Sequence, residues 1–229
     1  MKLLLFDIDG TIMDSGGAGT RSLDLAFEHV LSIPHAFEGI SMAGKTDIQI
    51  IREGLEKHNI PSSNGAVPAV LEAYVRFLST EINNQRKHLK PGIREVLEIV
   101  KGQYGLGLLT GNIEKGARIK LAQFSLNEYF PSGAFGSDDE DRNMLLPIAI
   151  ERFRELENRH IDFSDCVIIG DTPRDVQCAK PYGAFTIGTA TGPYPADALI
   201  KAGADAVFQD LSDTAAFLSA LENSVRYSF

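Results

Sequence analysis

KLLLFDIDGTIMD, residues 2–14, decides the fold. Leu3, Leu4, Leu5 and Phe6 make an unbroken apolar run, and Asp7, Asp9 and Gly10 follow directly. A continuous apolar run closed by a turn suits a strand covered on both faces, as in a parallel sheet flanked by helices. Asp7 then stands at the carboxyl end of that strand, where open α/β sheets place their chemistry. Residues two apart in an extended chain share a face, so Asp7 and Asp9 address one pocket while Ile8 turns away. Gly10 lets the backbone leave the strand.

Outward from this strand, the pattern changes twice. Ser15-Gly16-Gly17-Ala18-Gly19 reads as a flexible hinge and lacks the GxxxxGK[ST] spacing of a phosphate-cradling loop. Three helical patterns follow. The first carries Leu23, Ala26, Phe27, Val30 and Leu31 on one face and stops at Ile33-Pro34. The second starts at Thr46, which forms a capping box with Gln49, and runs to about His58. The third spans about residues 65–83, and the polar residues 84–88 form a return linker.

From Lys90 onward, strands and helices alternate. Strands are expected at 105–109, 134–136, 166–169, 185–188 and 206–208, helices from about 93, 113, 143, 196 and 212, and one more after the 170–175 turn to about Lys180. Residues 191–195 form a loop. The alternation implies parallel strands with right-handed crossovers. The switch from all-helical to alternating pattern marks a boundary. Residues 1–15 and 89–229 form an α/β core, and residues 16–88 a helical insertion.

The totals narrow the function. The 229 residues are 44% hydrophobic, enough for a large buried core. A formal charge of −9 argues against nucleic acid as a partner but not against a small phosphorylated molecule, because a bound divalent cation inverts the sign of an acidic pocket. No apolar run reaches the ~18 residues of a membrane span. Residue 2 already belongs to the first strand, which leaves no room for a signal peptide, so a cytoplasmic protein is expected. Cys166 and Cys178 suit buried reduced thiols. The chain is expected to act as a monomer or homodimer.

Asp7-Ile8-Asp9-Gly10-Thr11 resembles the first motif of the haloacid dehalogenase-like superfamily, magnesium-dependent phosphatases that use an aspartate nucleophile. Leu108-Leu109-Thr110-Gly111-Asn112 resembles its second motif, and Gly170-Asp171-Thr172-Pro173-Arg174-Asp175 its fourth. The order and spacing fit over almost the whole chain. The implied fold is α/β, a Rossmann-like parallel-sheet core with an inserted all-helical cap that closes over the site. The implied activity is hydrolysis of a small phosphomonoester, phosphoglycolate phosphatase-like, through an aspartyl-phosphate.

Roles follow from the resemblance and from what phosphoryl transfer needs. Asp7 is the nucleophile and Asp9 the general acid, then base. The Thr110 hydroxyl and the Gly111 and Asn112 amides, opening a helix, bind phosphoryl oxygens. Mg²⁺ is held by the Asp7 and Asp171 side chains and the Asp9 carbonyl, with Asp175 one helical turn from Asp171. Acidic oxygen ligands, with no histidine near these motifs, suit Mg²⁺ rather than zinc.

The third motif departs from the family's pattern, which places a Lys or Arg, often Lys-Pro, ahead of the helix leading to the fourth. Arg142 is the candidate here; a forked guanidinium suits phosphate. Lys45, in the Gly44-Lys45-Thr46-Asp47 turn, reaches from the cap towards substrate or stays solvated. Asn112 positions substrate or caps its helix, and Arg21 lines the site or flanks the hinge. A sugar-phosphate mutase of the same superfamily is the alternative activity. A receiver-like phospho-acceptor fits less well, since it has no helical insertion and no second acid in this role.

Overall fold

The computed structural model describes residues 2–62 and 65–224. Strand β1 (Leu3–Phe6) leads into a short β2 (Met13–Asp14). Three helices follow, α1 (Ala18–Leu31), α2 (Asp47–Lys57) and α3 (Ala66–Glu81), and then a short β3 (His88–Leu89). Next come α4 (Ile93–Val100), β4 (Gly105–Thr110), α5 (Glu114–Ala122), β5 (Ser132–Phe135) and α6 (Leu145–Glu157). The chain closes with β6 (Cys166–Gly170), α7 (Pro173–Ala179), β7 (Phe185–Thr189), α8 (Ala196–Ala202), β8 (Ala206–Phe208) and α9 (Thr214–Asn223).

Six strands form one parallel sheet in the order β5-β4-β1-β6-β7-β8. The central strand is β1, with Leu5 opposite Gly107 on one side and Ile168 on the other. From β1 the chain builds outward through β4 and β5, then crosses back to build through β6, β7 and β8. The strand order therefore reverses around β1, the place where open sheets leave a crevice at their carboxyl ends.

The four apolar residues of β1 divide between two cores. Leu4 and Phe6 pack with residues of α4, α5 and α9, such as Leu97, Leu121 and Phe217. Leu3 and Leu5 pack on the other face with Leu146, Ile150 and Phe153 of α6. Each β1 side chain is fully buried, worth about 1.5–3 kcal/mol apiece. Alternate residues reach opposite faces, so an all-apolar strand serves both layers. Pro147 falls in the first turn of α6, where a missing N–H costs little. Both cysteines are buried and free, and burial pushes each thiol up to about 12.

α1, α2 and α3 occupy the stretch between β2 and β3. The expected linker is more ordered than its polarity suggests. His88 pairs with Asp14 and Leu89 with Met13, antiparallel, so the outgoing and returning chains lie side by side. Asn84 ties this neck together: its amide donates to Ser15 O at 3.0 Å, and its carbonyl oxygen accepts from Arg86 N at 3.0 Å. Arg21 flanks the hinge, binding Glu81 at 2.7 Å and the Gly16 carbonyl at 2.7 Å. Only half of the expected capping box forms. Thr46 Oγ1 accepts from Gln49 N at 3.1 Å, but the Gln49 side chain donates to Glu53 instead. Among the described residues, no helix is long and apolar enough to cross a membrane.

Candidate active site

The chain leaves β1 at Asp7, whose N–H extends the ladder by donating to Ile169 O at 2.9 Å. A tight loop follows: the amides of Thr11, Ile12 and Met13 all converge on the Ile8 carbonyl, and Gly10 turns the chain with φ +86°. Ile8 is fully buried, while Asp7 and Asp9 both line one cavity of about 420 Å³. The shared pocket thus comes from the turn rather than from extended alternation.

Asp7, Asp171 and Asp175 each bring a carboxylate oxygen within 4.8 Å of the others, all buried. They reach this point from the carboxyl ends of β1 and β6 and from the first turn of α7. Burial, opposed by Arg142 and reinforced by Asp175, pushes Asp7 up to about 6. Burial, with Asp175 and Asp7 adding to it, holds Asp171 well above the ordinary carboxylate range. Asp171 Oδ1 accepts from Thr11 Oγ1 at 3.1 Å, and no described residue donates to its Oδ2. Such a buried acid cluster could hold a cation. The fit is uneven, however. Asp175 is already occupied: Oδ2 accepts from Thr172 N at 2.9 Å and Thr172 Oγ1 at 2.7 Å, and Oδ1 accepts from Arg142. Asp9 is not in the cluster.

Arg142 lies in a 3₁₀ turn, Arg142–Met144, ahead of α6, and its side chain is 4% exposed. It bridges Asp175 and, at 3.3 Å, Asp7. Burial works against its charge, but Asp175 and Asp7 outweigh burial and raise it. Among the described residues its Nε has no hydrogen-bond partner. Thr110, fully buried at the end of β4, favours the charged form of Asp7.

The second-motif loop is arranged differently from the expectation. α5 begins at Glu114 with Ile113 as its N-cap, so Asn112 does not cap it. The Asn112 amide donates to Thr110 Oγ1 at 3.3 Å, and the Ile113 amide to Asp47 Oδ2 at 2.9 Å. The Asn112 side chain donates to Asp9 Oδ2 at 2.8 Å and to Thr110 Oγ1 at 2.9 Å. Two of the helix-end donors are therefore taken within the protein.

The loop before α2 sits directly on this one. Asp47 N donates to Gly111 O at 2.8 Å, Thr46 Oγ1 to Glu140 O at 2.9 Å, and Arg142 Nη1 to Gly44 O at 3.4 Å. A Cβ on Gly111 would collide with the Lys45 carbonyl oxygen, so glycine is what permits the approach. Lys45 lines the cavity, with its ammonium held by Glu53. On the other side, a Cβ on Gly192 in the 191–195 loop would strike Asp171.

Two site residues escaped the sequence reading. Lys120 of α5, 4% exposed, donates to Asp9 Oδ2 at 2.6 Å and to Asn112 Oδ1 at 2.6 Å. Its signal was its place on the buried stripe of Gly116, Ala117 and Leu121. Asp47, 7% exposed, is pushed up to about 6 by burial, with Lys120 opposing. An acid in the first turn of a helix is too ordinary to mark it.

The arrangement supplies a buried carboxylate beside a forked cation and a hydroxyl, a second carboxylate open to the cavity, and room for a cation. The sequence model of the family described as haloacid dehalogenase-like hydrolase matches residues 4–189. The chain is 26% identical over 206 residues to a phosphoglycolate phosphatase of Vibrio vulnificus, covering 84% of this chain and 85% of that one. It is 25% identical over 218 residues to a phosphoglycolate phosphatase of Vibrio cholerae, covering 92% and 94%. The crystal structure of a hydrolase from Pseudomonas syringae shares the fold, with a TM-score of 0.73 at 22% identity, covering 96% and 98%.

Proposed function

The chain belongs to the haloacid dehalogenase-like hydrolase family, and from that membership we propose how it works as a phosphatase on a small phosphomonoester. The reading rests above all on one observation: Asp7, Asp171, Thr110 and Arg142, far apart in sequence, meet around one point at the sheet's carboxyl edge.

Asp7 attacks phosphorus, forming a P–O bond as the ester P–O bond breaks, and Asp9 gives the leaving oxygen its proton. In the second half, Asp9 takes a proton from water as that water attacks the aspartyl-phosphate, releasing inorganic phosphate and freeing Asp7. Arg142 holds a phosphoryl oxygen and keeps Asp7 ionised, and the Thr110 hydroxyl donates to a phosphoryl oxygen when substrate is bound. The Asp7 and Asp171 side chains, with the Asp9 carbonyl, are the proposed holders of Mg²⁺. The free Oδ2 of Asp171 and the surplus of buried acids over cations fit that role. Bound Mg²⁺ offsets the negative charge of phosphate and acids. Asp175, both oxygens occupied, serves by holding Arg142.

Residues 16–88 act as a cap, and the 44–47 loop seated on Gly111 excludes water from the reacting centre. The relatives named phosphoglycolate phosphatases point to a small phosphorylated acid as substrate. The test is a panel of small phosphate esters, phosphoglycolate among them, assayed for phosphate release with and without Mg²⁺. Mg²⁺-dependent release supports the reading. Conversion of a sugar phosphate to its isomer without net release would replace it with a mutase.

A further inference from the structure

Lys120 is buried on a helix stripe where an apolar residue would pack without cost. Desolvating an ammonium is costly unless close partners offset it. Its neighbours on the stripe, Gly116, Ala117 and Leu121, are all apolar or small. The ammonium reaches the cavity wall and grips two groups at 2.6 Å, Asp9 Oδ2 and Asn112 Oδ1.

An ammonium only donates, so the Asn112 oxygen must face Lys120 and its NH₂ must face away. That NH₂ donates to Asp9 Oδ2 at 2.8 Å and to Thr110 Oγ1 at 2.9 Å. One ammonium therefore fixes the orientation of the Asn112 amide, and with it both donors to Asp9 Oδ2. Asp9 Oδ2 receives two donors, while no described residue donates to Oδ1, and the Asp9 side chain is 42% exposed.

We propose that Lys120 is a positioning residue for proton transfer to the leaving group: it pins Asp9 Oδ2 and orients Asn112, so that Asp9 presents Oδ1 to the ester oxygen. The proposal rests on the reading of Asp9 as general acid. It assigns α5 a part in catalysis that none of the sequence motifs contains.

The test compares two substrates of the Mg²⁺-loaded enzyme. Phosphoglycolate leaves as an alkoxide and needs the proton; p-nitrophenyl phosphate leaves as a stable phenolate and does not. Lys120→Met, which keeps the length and removes the donors, is expected to lower kcat/KM for phosphoglycolate about 10–100-fold, the scale of a small misplacement of a reacting group. The loss for p-nitrophenyl phosphate is expected to stay within about threefold, because only the general-acid contribution is affected. An equal loss on both substrates, or none on either, overturns the proposal. Asp9→Asn is run in parallel. If Asp9→Asn shows the split and Lys120→Met does not, Lys120 has no positioning role and the general acid stands. If Asp9→Asn loses kcat/KM, which the shared hydrolysis of the aspartyl-phosphate does not enter, equally on both substrates, the reading of Asp9 as general acid falls. Should Lys120→Met fail to fold by circular dichroism, Lys120→Gln carries the same comparison, with the same split expected and the same equal loss overturning it.

Discussion

Asp171→Asn is expected to destroy activity and yet make the metal-free protein more stable. Asp171 is 1% exposed and lies within 4.8 Å of Asp7 and Asp175, and the one described donor to its carboxylate is the Thr11 hydroxyl. Two unit charges at that distance repel by about 3 kcal/mol at an effective dielectric near 20. Arg142 bridges Asp7 and Asp175 and hydrogen-bonds neither oxygen of Asp171. Burial already shifts Asp171 towards its neutral form, so only part of that repulsion is present at neutral pH. Asparagine keeps an acceptor for Thr11 and removes the charge. The expected gain is about 1–3 kcal/mol at about pH 8 in chelator, read from urea unfolding by circular dichroism. Saturating Mg²⁺ should reverse the order, since a ligand at 100 times its Kd stabilises by about 3 kcal/mol and the variant has lost a holder. The wild type should show the matching pH signature. Asp7 rises from 3.8 to about 6 in the folded state, so the folded protein binds more protons in that window. Stability in chelator therefore falls as pH rises from about 4 to about 6, by about 3 kcal/mol for Asp7 alone. Asp171, held higher still, extends the decline upward. If Asp171→Asn is less stable than wild type in chelator at about pH 8 by more than about 1 kcal/mol, the protein already neutralises its own cluster and the argument for a cation collapses.

Three other substitutions test neighbouring parts of the site. Asp7→Asn should lower phosphate release by at least about three orders of magnitude, as removing a nucleophile does, while its circular dichroism spectrum stays unchanged. Arg142→Ala leaves Asp7 and Asp175 facing each other unpaired and should cost about 3–5 kcal/mol at neutral pH, with weaker inhibition by inorganic phosphate. That deficit should shrink in acid, where the carboxylates protonate; a deficit independent of pH would remove charge as its cause. Gly111→Ala pushes a methyl into the Lys45 carbonyl and should unseat the 44–47 loop, at about 1–3 kcal/mol and with a raised KM; unchanged KM would mean that the loop does not close on substrate.

The fold was readable because its signals are local. An apolar run bounded by an acid and a glycine gives β1, and alternation of strand and helix gives a parallel sheet. The strand order was less accessible, since pairing across β1 depends on contacts between residues 3–6, 105–108 and 166–169. Asp7, Thr110, Arg142 and Asp171 were readable because each ends a strand or precedes a helix at a fixed spacing. Of the two readings open for Asn112 the helix cap falls, because Ile113 holds that position and the Asn112 side chain turns to Asp9. Lys120 and Asp47 were missed for the same physical reason. Their partners, Asp9 and the Ile113 amide, lie 111 and 66 residues away in sequence, so no spacing rule reaches them.

Seen together, the charged groups fall into two halves that differ in how they are balanced. On the nucleophile side, Arg142 stands between Asp7 and Asp175. On the leaving-group side, Lys120 stands against Asp9 and is the main charge opposing the shift of Asp47. Each half uses one buried cation to hold two acids, and each cation is fixed by hydrogen bonds rather than left to solvent. Asp171 belongs to neither pair. It is the acid with no cation of its own, at the point where β6 ends against β1, enclosed by the turn at Gly10 and the loop at Gly192, positions where a Cβ would collide with it. Among the described residues no cation pairs with Asp171, and on the reading proposed above a bound cation completes it. The predicted reversal of stability at Asp171 by Mg²⁺ is therefore the most direct physical test of the whole arrangement.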